Sequence, residues 1–530
     1  MVSASGEELD RLERVIDTSK AASEIERLLP VGVRPRQLSV RTLLFGMLLV
    51  AVQGRPAHLR RIHQTLIGLP EPDQWRLGIS TRWKTGEHRL TYRQVERTFK
   101  LVVTALSKHT PDGRPSPLLS DVLDRLLEAS ITVLGQPASG SYAVDWTDLE
   151  AWARPPHPKP GEPGEPGEPG AEDTPPDGQR EPSGADQDVC RGDREAAWGH
   201  RNTNHPAKRE IFYGYYLQAV TCVADEHGPE VPGLVRRIQI AACDHDPPAQ
   251  IVPVLQRMAT DAIKLSDILA DSGYAYRVPT NWALPVRALG ADLVQDLHPH
   301  DRGPKGTHQG ATISNGNLYC PATPTTLLRL GPLAPNATSE QTNAHDQQSR
   351  ELARYKLGAI TRPDRDRYHR VACPATTGKL RCPLRPVSMT HSHDRPTILT
   401  APEHPPVCCA QQTITVPPSV NAKTAQKHDY PSPAHRHSYQ RRTAAERTFS
   451  TLFDRATNDL SRGHCQITGL TATALLTATT VIARNLRVAD AHAARQADNA
   501  RRAANGLPPR QRKHRRQTAA DLTAAAHPPP

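Results

Sequence analysis

The sequence lacks any apolar run long enough to cross a bilayer. Its longest such run, LLFGMLLVAV at residues 43 to 52, has ten residues, whereas a membrane-spanning helix needs about 20. The first residues, MVSASGEELDRLERVID, are acidic and polar and give no sign of a secretory signal. These absences predict a soluble, cytoplasmic protein with no membrane partner.

Apolar residues are scarce too. They make up 37% of the 530 residues, and there are 50 prolines, so we expect part of the chain to stay outside any packed core. The remainder is still long enough for two to four domains. The nine cysteines are an odd number and are scattered, which makes a disulfide framework improbable in a long intracellular chain.

The formal charge of +11 and the pI near 9.3 favour a polyanionic partner, nucleic acid before membrane. A basic tail alone would explain much of this charge. Residues 491 to 530 hold eight Lys or Arg and two acids, a net charge of +6. Their Ala-, Arg- and Pro-rich composition predicts disorder.

Residues 1–135 are predicted to be helical, because apolar residues recur there at three- and four-residue spacing. Arginines such as Arg55, Arg60 and Arg61 lie between the apolar segments. A helical DNA-binding domain and an ordinary helical bundle with solvated arginines both fit this pattern.

Residues 136–300 predict an α/β domain with a mixed sheet: three strands, a helix, a strand, a helix or loop, and a strand. A segment at 154–189 interrupts it, with ten prolines, six glycines and nine acids, and should be disordered. Residues 301–436 are rich in Cys, His and Pro and are predicted to be an irregular insertion. Residues 437–490 return to helical spacing.

The insertion holds five cysteines: Cys320, Cys373, Cys382, Cys408 and Cys409. Three of them precede a proline, and a short loop with Gly and Lys separates Cys373 from Cys382. Both a zinc site and reduced free thiols fit, because no Cys-x-x-Cys pair with standard zinc spacing is present.

Three acids have positions that suit shared chemistry. Asp145 ends the first predicted strand and Asp271 the fourth, while Glu446 lies on the late helix. Acids at adjacent strand ends, with one from a covering helix, can share two divalent metal ions and serve phosphodiester chemistry. Asp148 is a rival to Asp145, but the strand YAVD makes Asp145 the natural strand-end acid.

The stretch HSYQRRTAAERTFSTLF at 437–453 places Tyr439, Arg442, Glu446 and Phe453 on one stripe of a helix. Together with the order of strands and acids, this resembles the DDE transposases of bacterial insertion sequences. Tyr439, Arg442 and Glu446 match the spacing of a Tyr-Arg-Glu-Lys signature, and Phe453 stands at the lysine position. The segment DSGY at 271 to 274 is similar to the second-aspartate motif of that family.

The resemblance implies an RNase H-like catalytic core that binds Mg²⁺ or Mn²⁺ through Asp145, Asp271 and Glu446. It implies that Tyr439 and Arg442 hold DNA phosphates, that the partner is double-stranded DNA at the element ends and target, and that the chain acts as a homo-oligomer in the nucleoid. Two rivals remain: a DNA-binding relative without catalysis, and a nuclease of the same core.

Deleting residues 156–188 should change the thermal unfolding midpoint by only a few degrees, because a flexible insertion adds little loop-closure entropy. Circular dichroism of the deleted and full-length chains would measure this. Loss of folded protein on deletion would make the segment structural.

Overall fold

The computed structural model describes most of the chain, with several gaps. The described residues are 6–30, 36–55, 58–79, 90–107, 114–136, 139–153, 155, 192–201, 211–400 and 402–510. Apart from Pro155, the predicted disordered insertion at 154–189 lies outside these ranges. None of the helices within these ranges is both long and apolar enough to cross a membrane.

Helices make up the described residues before 135, as the apolar spacing predicts. They are α1 (Gly6–Ser19), α2 (Ala21–Leu28), α3 (Val40–Val52), α4 (Leu59–Ile67), α5 (Glu71–Arg76), α6 (Tyr92–Leu106) and α7 (Pro117–Leu134). Ten of the 13 residues of α3 are buried, so this helix forms the centre of the group. The longest of them, α7, begins after Ser116, whose side chain accepts a hydrogen bond from the Leu119 N–H group.

A six-stranded mixed sheet follows. Its strands are β1 (Ser141–Glu150), β2 (Ala197–His200), β3 (Ile211–Val223), β4 (Val235–Ala242), β5 (Asp267–Ala270) and β6 (Asp292–Gln295). The order is β2-β3-β1-β5-β6, with β4 also paired to β3. The β1–β3, β2–β3 and β3–β4 pairs are antiparallel, while β1–β5 and β5–β6 are parallel. The predicted mixed α/β sheet is therefore confirmed, and β2 is a strand that the sequence pattern did not predict.

Three helices connect the later strands. They are α8 (Pro247–Thr260), between β4 and β5, and the short α9 (Ser272–Ala275) and α10 (Ala283–Ala288), between β5 and β6. The parallel pairing of β5 with both β1 and β6 brings the carboxyl ends of β5 and β6 level with the middle of β1, which continues to Glu150.

The prediction of an irregular region at 301–436 is wrong, because two small antiparallel sheets and a long helix form there. The elements are β7 (Pro304–His308), β8 (Ala311–Ser314), β9 (Asn317–Tyr319), α11 (Thr325–Leu328), α12 (Ser339–Tyr355), β10 (Gly358–Ala359), β11 (His369–Ala372), α13 (Val407–Ala410) and β12 (Thr413–Val416). The strand orders are β7-β8-β9 and β10-β11-β12. These strands have only two to five residues, too few to give a clear alternation of apolar and polar positions.

Three helices end the described chain: α14 (Pro433–Tyr439), α15 (Thr443–Leu452) and α16 (Leu470–Ala504). The prediction of disorder from residue 491 is wrong for residues 491 to 504, which continue α16. Alanine has the highest helix propensity, and an ion pair from Arg495 to Glu230, with an N–O distance of 2.7 Å, ties this extension to the sheet.

The two faces of the sheet are covered by different helices. On one face, Tyr142 and Ile268 belong to an apolar cluster shared with α8. On the other, Ala143 and Leu269 pack with Ala445 of α15. Because successive side chains of a strand point to opposite faces, every second residue beyond Ala143 and Leu269 faces α15.

A buried arginine joins the helical region to the sheet. The Arg237 side chain on β4 is 1% exposed and forms ion pairs with Glu128 of α7 at 2.7 Å and Asp261 at 3.1 Å. Asp124 of α7 lies 3.5 Å away and also pairs with Arg257 at 2.7 Å. A buried guanidinium is tolerated only with such partners.

Arg237→Met should lower the free energy of unfolding by up to about 3 kcal/mol, because it removes the shared cation of a buried network and leaves Asp124 with Arg257 and Glu128 with Arg236 as their remaining partners. Thermal denaturation would record a lower Tm. Arg125→Met is the matched control on α7, where the exposed Arg125–Asp121 pair should contribute about 1 kcal/mol or less. Equal losses in both variants would contradict a network role for Arg237.

Candidate active site

Three aspartates stand side by side on neighbouring strands of the sheet. Ala143 of β1 pairs with Leu269 of β5, and Leu269 pairs with Val294 of β6. Two residues further along these strands are Asp145, Asp271 and Asp296. Since two residues restore the face of a strand, all three side chains start on the face that α15 covers.

Local structure fixes the Asp271 carboxylate. Asp271 is the N-cap of α9, and its Oδ1 atom accepts hydrogen bonds from the N–H groups of Gly273 at 2.9 Å and Tyr274 at 3.4 Å. Gly273 is required by close packing, because an added Cβ would lie 2.5 Å from the Trp146 ring. The sequence DSGY thus folds as a capped turn against the residue that follows Asp145.

Aromatic rings form a rigid layer next to these acids. Trp146 meets the buried Tyr274 edge-on, with ring centroids 4.7 Å apart, and Tyr274 in turn contacts Trp282 at 4.7 Å. The indole N–H of Trp282 donates to the Gln295 side chain at 3.0 Å, beside Asp296. The aromatic residues therefore connect the middle of β1 with the ends of β5 and β6.

The late helical segment brings Glu446 to the same place. A 3-10 turn at Gln440–Arg442 joins α14 to α15. The Arg442 guanidinium donates through Nη1 to Asp145 Oδ2 at 3.0 Å and through Nη2 to Glu446 Oε1 at 2.6 Å. Arg442 thus links an acid of β1 to an acid of α15, with Asp271 close enough for its charge to act on both Asp145 and Arg442.

Tyr439 lies beneath this bridge. The Arg442 guanidinium carbon is 5.7 Å from the centre of the Tyr439 ring, within cation–π range. Tyr439 also stacks on His435, with ring centroids 5.6 Å apart. Arg442 therefore contacts both Tyr439 and Glu446, as expected from the stripe in the sequence. That Tyr439 and Arg442 bind DNA stays a prediction.

Burial shapes the electrostatics of the site. Burial and the neighbouring Asp271 carboxylate raise the pKa of Asp145 from its usual 3.8 to about 6, although Arg442 opposes the shift. Burial raises the pKa of Asp271 as well. Glu446 differs from them, because its side chain is 57% exposed. The site therefore holds two desolvated acids and one solvated acid around a single arginine.

Two other residues named from the sequence lie elsewhere. Asp148 faces away from Arg442 and forms an ion pair with Arg201 at 2.9 Å, which leaves Asp145 as the β1 acid of the site. Asp145 lies in the middle of β1 and not at its end as predicted, because β1 continues to Glu150. Phe453, at the lysine position of the signature, follows the last residue of α15. It packs against the large apolar cluster formed by the N-terminal helices and α16.

Asp296 was not predicted as a site residue. Its carboxylate accepts a hydrogen bond from the Tyr430 hydroxyl at 2.7 Å and pairs with Arg302 at 3.2 Å. The signal that could have identified it is the one that identified Asp271, an acid directly after a short apolar strand. Its charge acts on Asp271 and Tyr439, so Asp296 borders the site.

The site can hold a cation through carboxylate oxygens, the ligands that Mg²⁺ prefers. Among the residues given above as described, no three Asp, Glu, His or Cys side chains are already spaced as a metal site. At this site the Arg442 guanidinium lies between two of the acids. Comparison with protein-family models, curated proteins and solved structures found no match to this chain.

Asp145→Asn should stabilise the folded chain at pH 7 in buffer with EDTA. A carboxyl group whose folded pKa is raised costs stability when it ionises, so its contribution falls as pH rises from about 4 to about 6. Removing the charge should raise the free energy of unfolding by about 3 kcal/mol at most, and the gain should vanish near pH 4. Thermal unfolding of both chains across this pH range would measure it.

Asp148→Asn is the control on the same strand. It removes one partner of Arg201, whose side chain is 9% exposed, and should lower the Tm at pH 7. If Asp145→Asn lowered the Tm equally at that pH, Asp145 would be an ordinary structural ion-pair partner.

Proposed function

We propose that the chain is a DNA transposase of the DDE type, with an RNase H-like core that cleaves and joins DNA strands. The observation that carries the proposal is the bridge from Asp145 through Arg442 to Glu446, formed beside Asp271. Asp145 comes from β1, Asp271 follows β5, and Glu446 lies on the late helix α15, which is the order that the family resemblance implies.

The donor set fits Mg²⁺ or Mn²⁺. Asp145, Asp271 and Glu446 offer hard oxygen ligands. Burial is the main cause of the raised pKa values of the two aspartates, and neighbouring carboxylates add to it, so a bound cation would offset a cost that Arg442 offsets only in part. These three residues would hold the metal. When bound, two such ions activate water and neutralise charge on the phosphate during in-line displacement.

The protein's own residues position these groups. Backbone N–H groups of Gly273 and Tyr274 fix the Asp271 carboxylate, and the Trp146–Tyr274 contact holds the middle of β1 and the end of β5 together. In the free chain, Arg442 supplies the positive charge that Asp145 and Glu446 need. When these acids take another partner, the planar guanidinium becomes available to a DNA phosphate, with Tyr439 supporting it from below.

A groove beside α15 and α16, of about 340 Å³, has arginines that suit a DNA partner. Two of its four arginines have other roles, because Arg484 is buried and Arg441 pairs with Asp267 at 2.8 Å. Arg447 and Arg495 are more exposed and are therefore the residues placed to meet a phosphate. Phosphate contacts from such residues supply most non-specific DNA affinity. In this proposal the chain acts in the cytoplasm on chromosomal DNA, as a homo-oligomer on paired element ends.

A DNA-binding relative without catalysis is the second candidate. Phe453 packs into the core where the signature has a lysine, so one DNA contact of active family members is missing. A nuclease of the same core would cut DNA without joining strands, and analysis of the reaction products separates it from a transposase.

Glu446→Gln should abolish Mg²⁺-dependent cleavage of double-stranded DNA that flanks the gene, because it removes a ligand charge without changing side-chain size. DNA binding in a gel-shift assay should survive, since affinity depends mainly on Lys and Arg. Cleavage should fall at least about 100-fold, the size expected when a group essential to the chemistry is lost.

Glu340→Gln, at an exposed position of α12, makes the same chemical change away from the site and should leave cleavage intact. Cleavage by Glu446→Gln at the wild-type rate would remove Glu446 from the site. If the wild-type chain binds but does not cut this DNA with Mg²⁺ or Mn²⁺, the non-catalytic candidate stands instead.

A further inference from the structure

The five cysteines of the insertion come together in the fold. Each is buried, with an exposed fraction between 3% and 9%, and they are Cys320, Cys373, Cys382, Cys408 and Cys409. Cys320 is close enough to Cys373, Cys382 and Cys409 for their charges to interact. Cys320 directly follows β9 and Cys373 directly follows β11, while Cys408 and Cys409 lie on α13. Cys320, Cys373 and Cys382 share one buried cluster.

Two of the cysteine-containing segments repeat the same turn. Cys-Pro-Ala-Thr occurs at 320 to 323 and again at 373 to 376. In each copy the threonine N–H donates to the cysteine carbonyl, Thr323 to Cys320 at 3.0 Å and Thr376 to Cys373 at 2.9 Å. A third Cys-Pro turn is closed at 2.9 Å by the Arg385 N–H and the Cys382 carbonyl.

These turns aim backbone N–H groups at sulfur. Burial is the main influence on these thiols and raises the pKa of Cys320 to about 12 and that of Cys373 as well. The N–H group of Ala322 at Cys320, and those of Ala375 and Thr376 at Cys373, act against this shift. Hydrogen bonds to the charged form of a ligand orient it and tune a metal site. An ordinary buried thiol needs no such donors.

Cys409 is the fourth cysteine, beside those of the three Cys-Pro turns. Its sulfur lies 3.9 Å from that of Cys408, which can donate its S–H to it, and the charge of Cys409 also reaches Cys373. The Arg385 side chain donates to the Cys409 carbonyl at 2.8 Å, which ties this segment to the Cys382 turn. The hydrogen bond from Cys408 lowers the pKa of Cys409, and the positive charge of Arg385 acts in the same direction.

We propose that Cys320, Cys373, Cys382 and Cys409 bind a structural Zn²⁺ ion as four thiolates, with Cys408 as a hydrogen-bond donor to Cys409. Four buried sulfur ligands suit tetrahedral zinc and leave no open position for catalysis. Binding would release the four thiol protons. The described cysteines are free thiols and are not yet spaced as a metal site, so we expect the ion to draw the Cys-Pro turns together.

A bound zinc ion would also stabilise the folded insertion. The insertion's apolar residues divide into two small clusters, one around Cys320, Cys373 and Cys382 and the other around Cys408 and Cys409. Small cores give little stability alone, and a metal cross-link is a common supplement. The proposal does not depend on the transposase function.

Elemental analysis of the full-length chain, purified without chelator, should find about one zinc per chain. Cys320→Ser and Cys373→Ser should lose most of this zinc. Cys465→Ser, a control thiol outside the group, and Cys408→Ser should retain it. If wild-type chain contains no zinc, or contains iron instead, or if Cys465→Ser loses as much zinc as Cys373→Ser, the proposal fails.

A second measurement uses only the wild-type chain and so does not depend on whether the cysteine variants fold. Wild-type chain exchanged into Co²⁺ should develop thiolate-to-cobalt charge-transfer absorption and the strong visible bands of a tetrahedral site, and added Zn²⁺ should remove them. Absence of both features in folded wild-type protein would overturn the assignment.

Discussion

The candidate site depends on one ionic contact, the bridge that Arg442 makes between Asp145 and Glu446. Two aspartates placed side by side on neighbouring strands, away from water, resist ionisation and repel each other when charged. In the free chain the positive charge of Arg442, at the start of α15, offsets part of the cost of ionising these aspartates. The same contact orients α15 over the sheet, because the arginine must reach down to β1 while Glu446 stays near solvent.

Strand pairing explains why the acids meet at all. The Ala143–Leu269 and Leu269–Val294 pairs set the register of β1, β5 and β6, and a shift of one residue would turn each acid to the opposite face. The alternation that buries Tyr142 under α8 therefore also presents Asp145 to α15. The strand register therefore determines both which apolar residues are buried and where the acids of the site lie.

Local patterns were enough to predict the mixed sheet, the position of Asp271 directly after its strand, and the stripe of Tyr439, Arg442 and Glu446. The prediction that Asp145 ends the first strand is wrong, because pairing with β3 continues β1 to Glu150. Features decided by distant partners were not predictable. Arg442 looked like an outward contact because its partner Asp145 is 297 residues away. The short β2 strand has almost no alternation of its own, and β3 defines it by pairing. The five cysteines showed no standard spacing because their segments meet only in the folded insertion.

The separation of Asp145 from Glu446 along the chain has a consequence for biosynthesis. Translation at about 5–20 residues per second leaves roughly 15–60 s between the two. During that time a ribosome-bound chain already carries Asp145, and then Asp271, but has no α15 to cover them. The nascent chain therefore holds an uncompensated acidic pair, and only a chain translated through Glu446 contains every residue of the site. Premature termination anywhere in the insertion yields a protein with the sheet but without the arginine that pairs with Asp145.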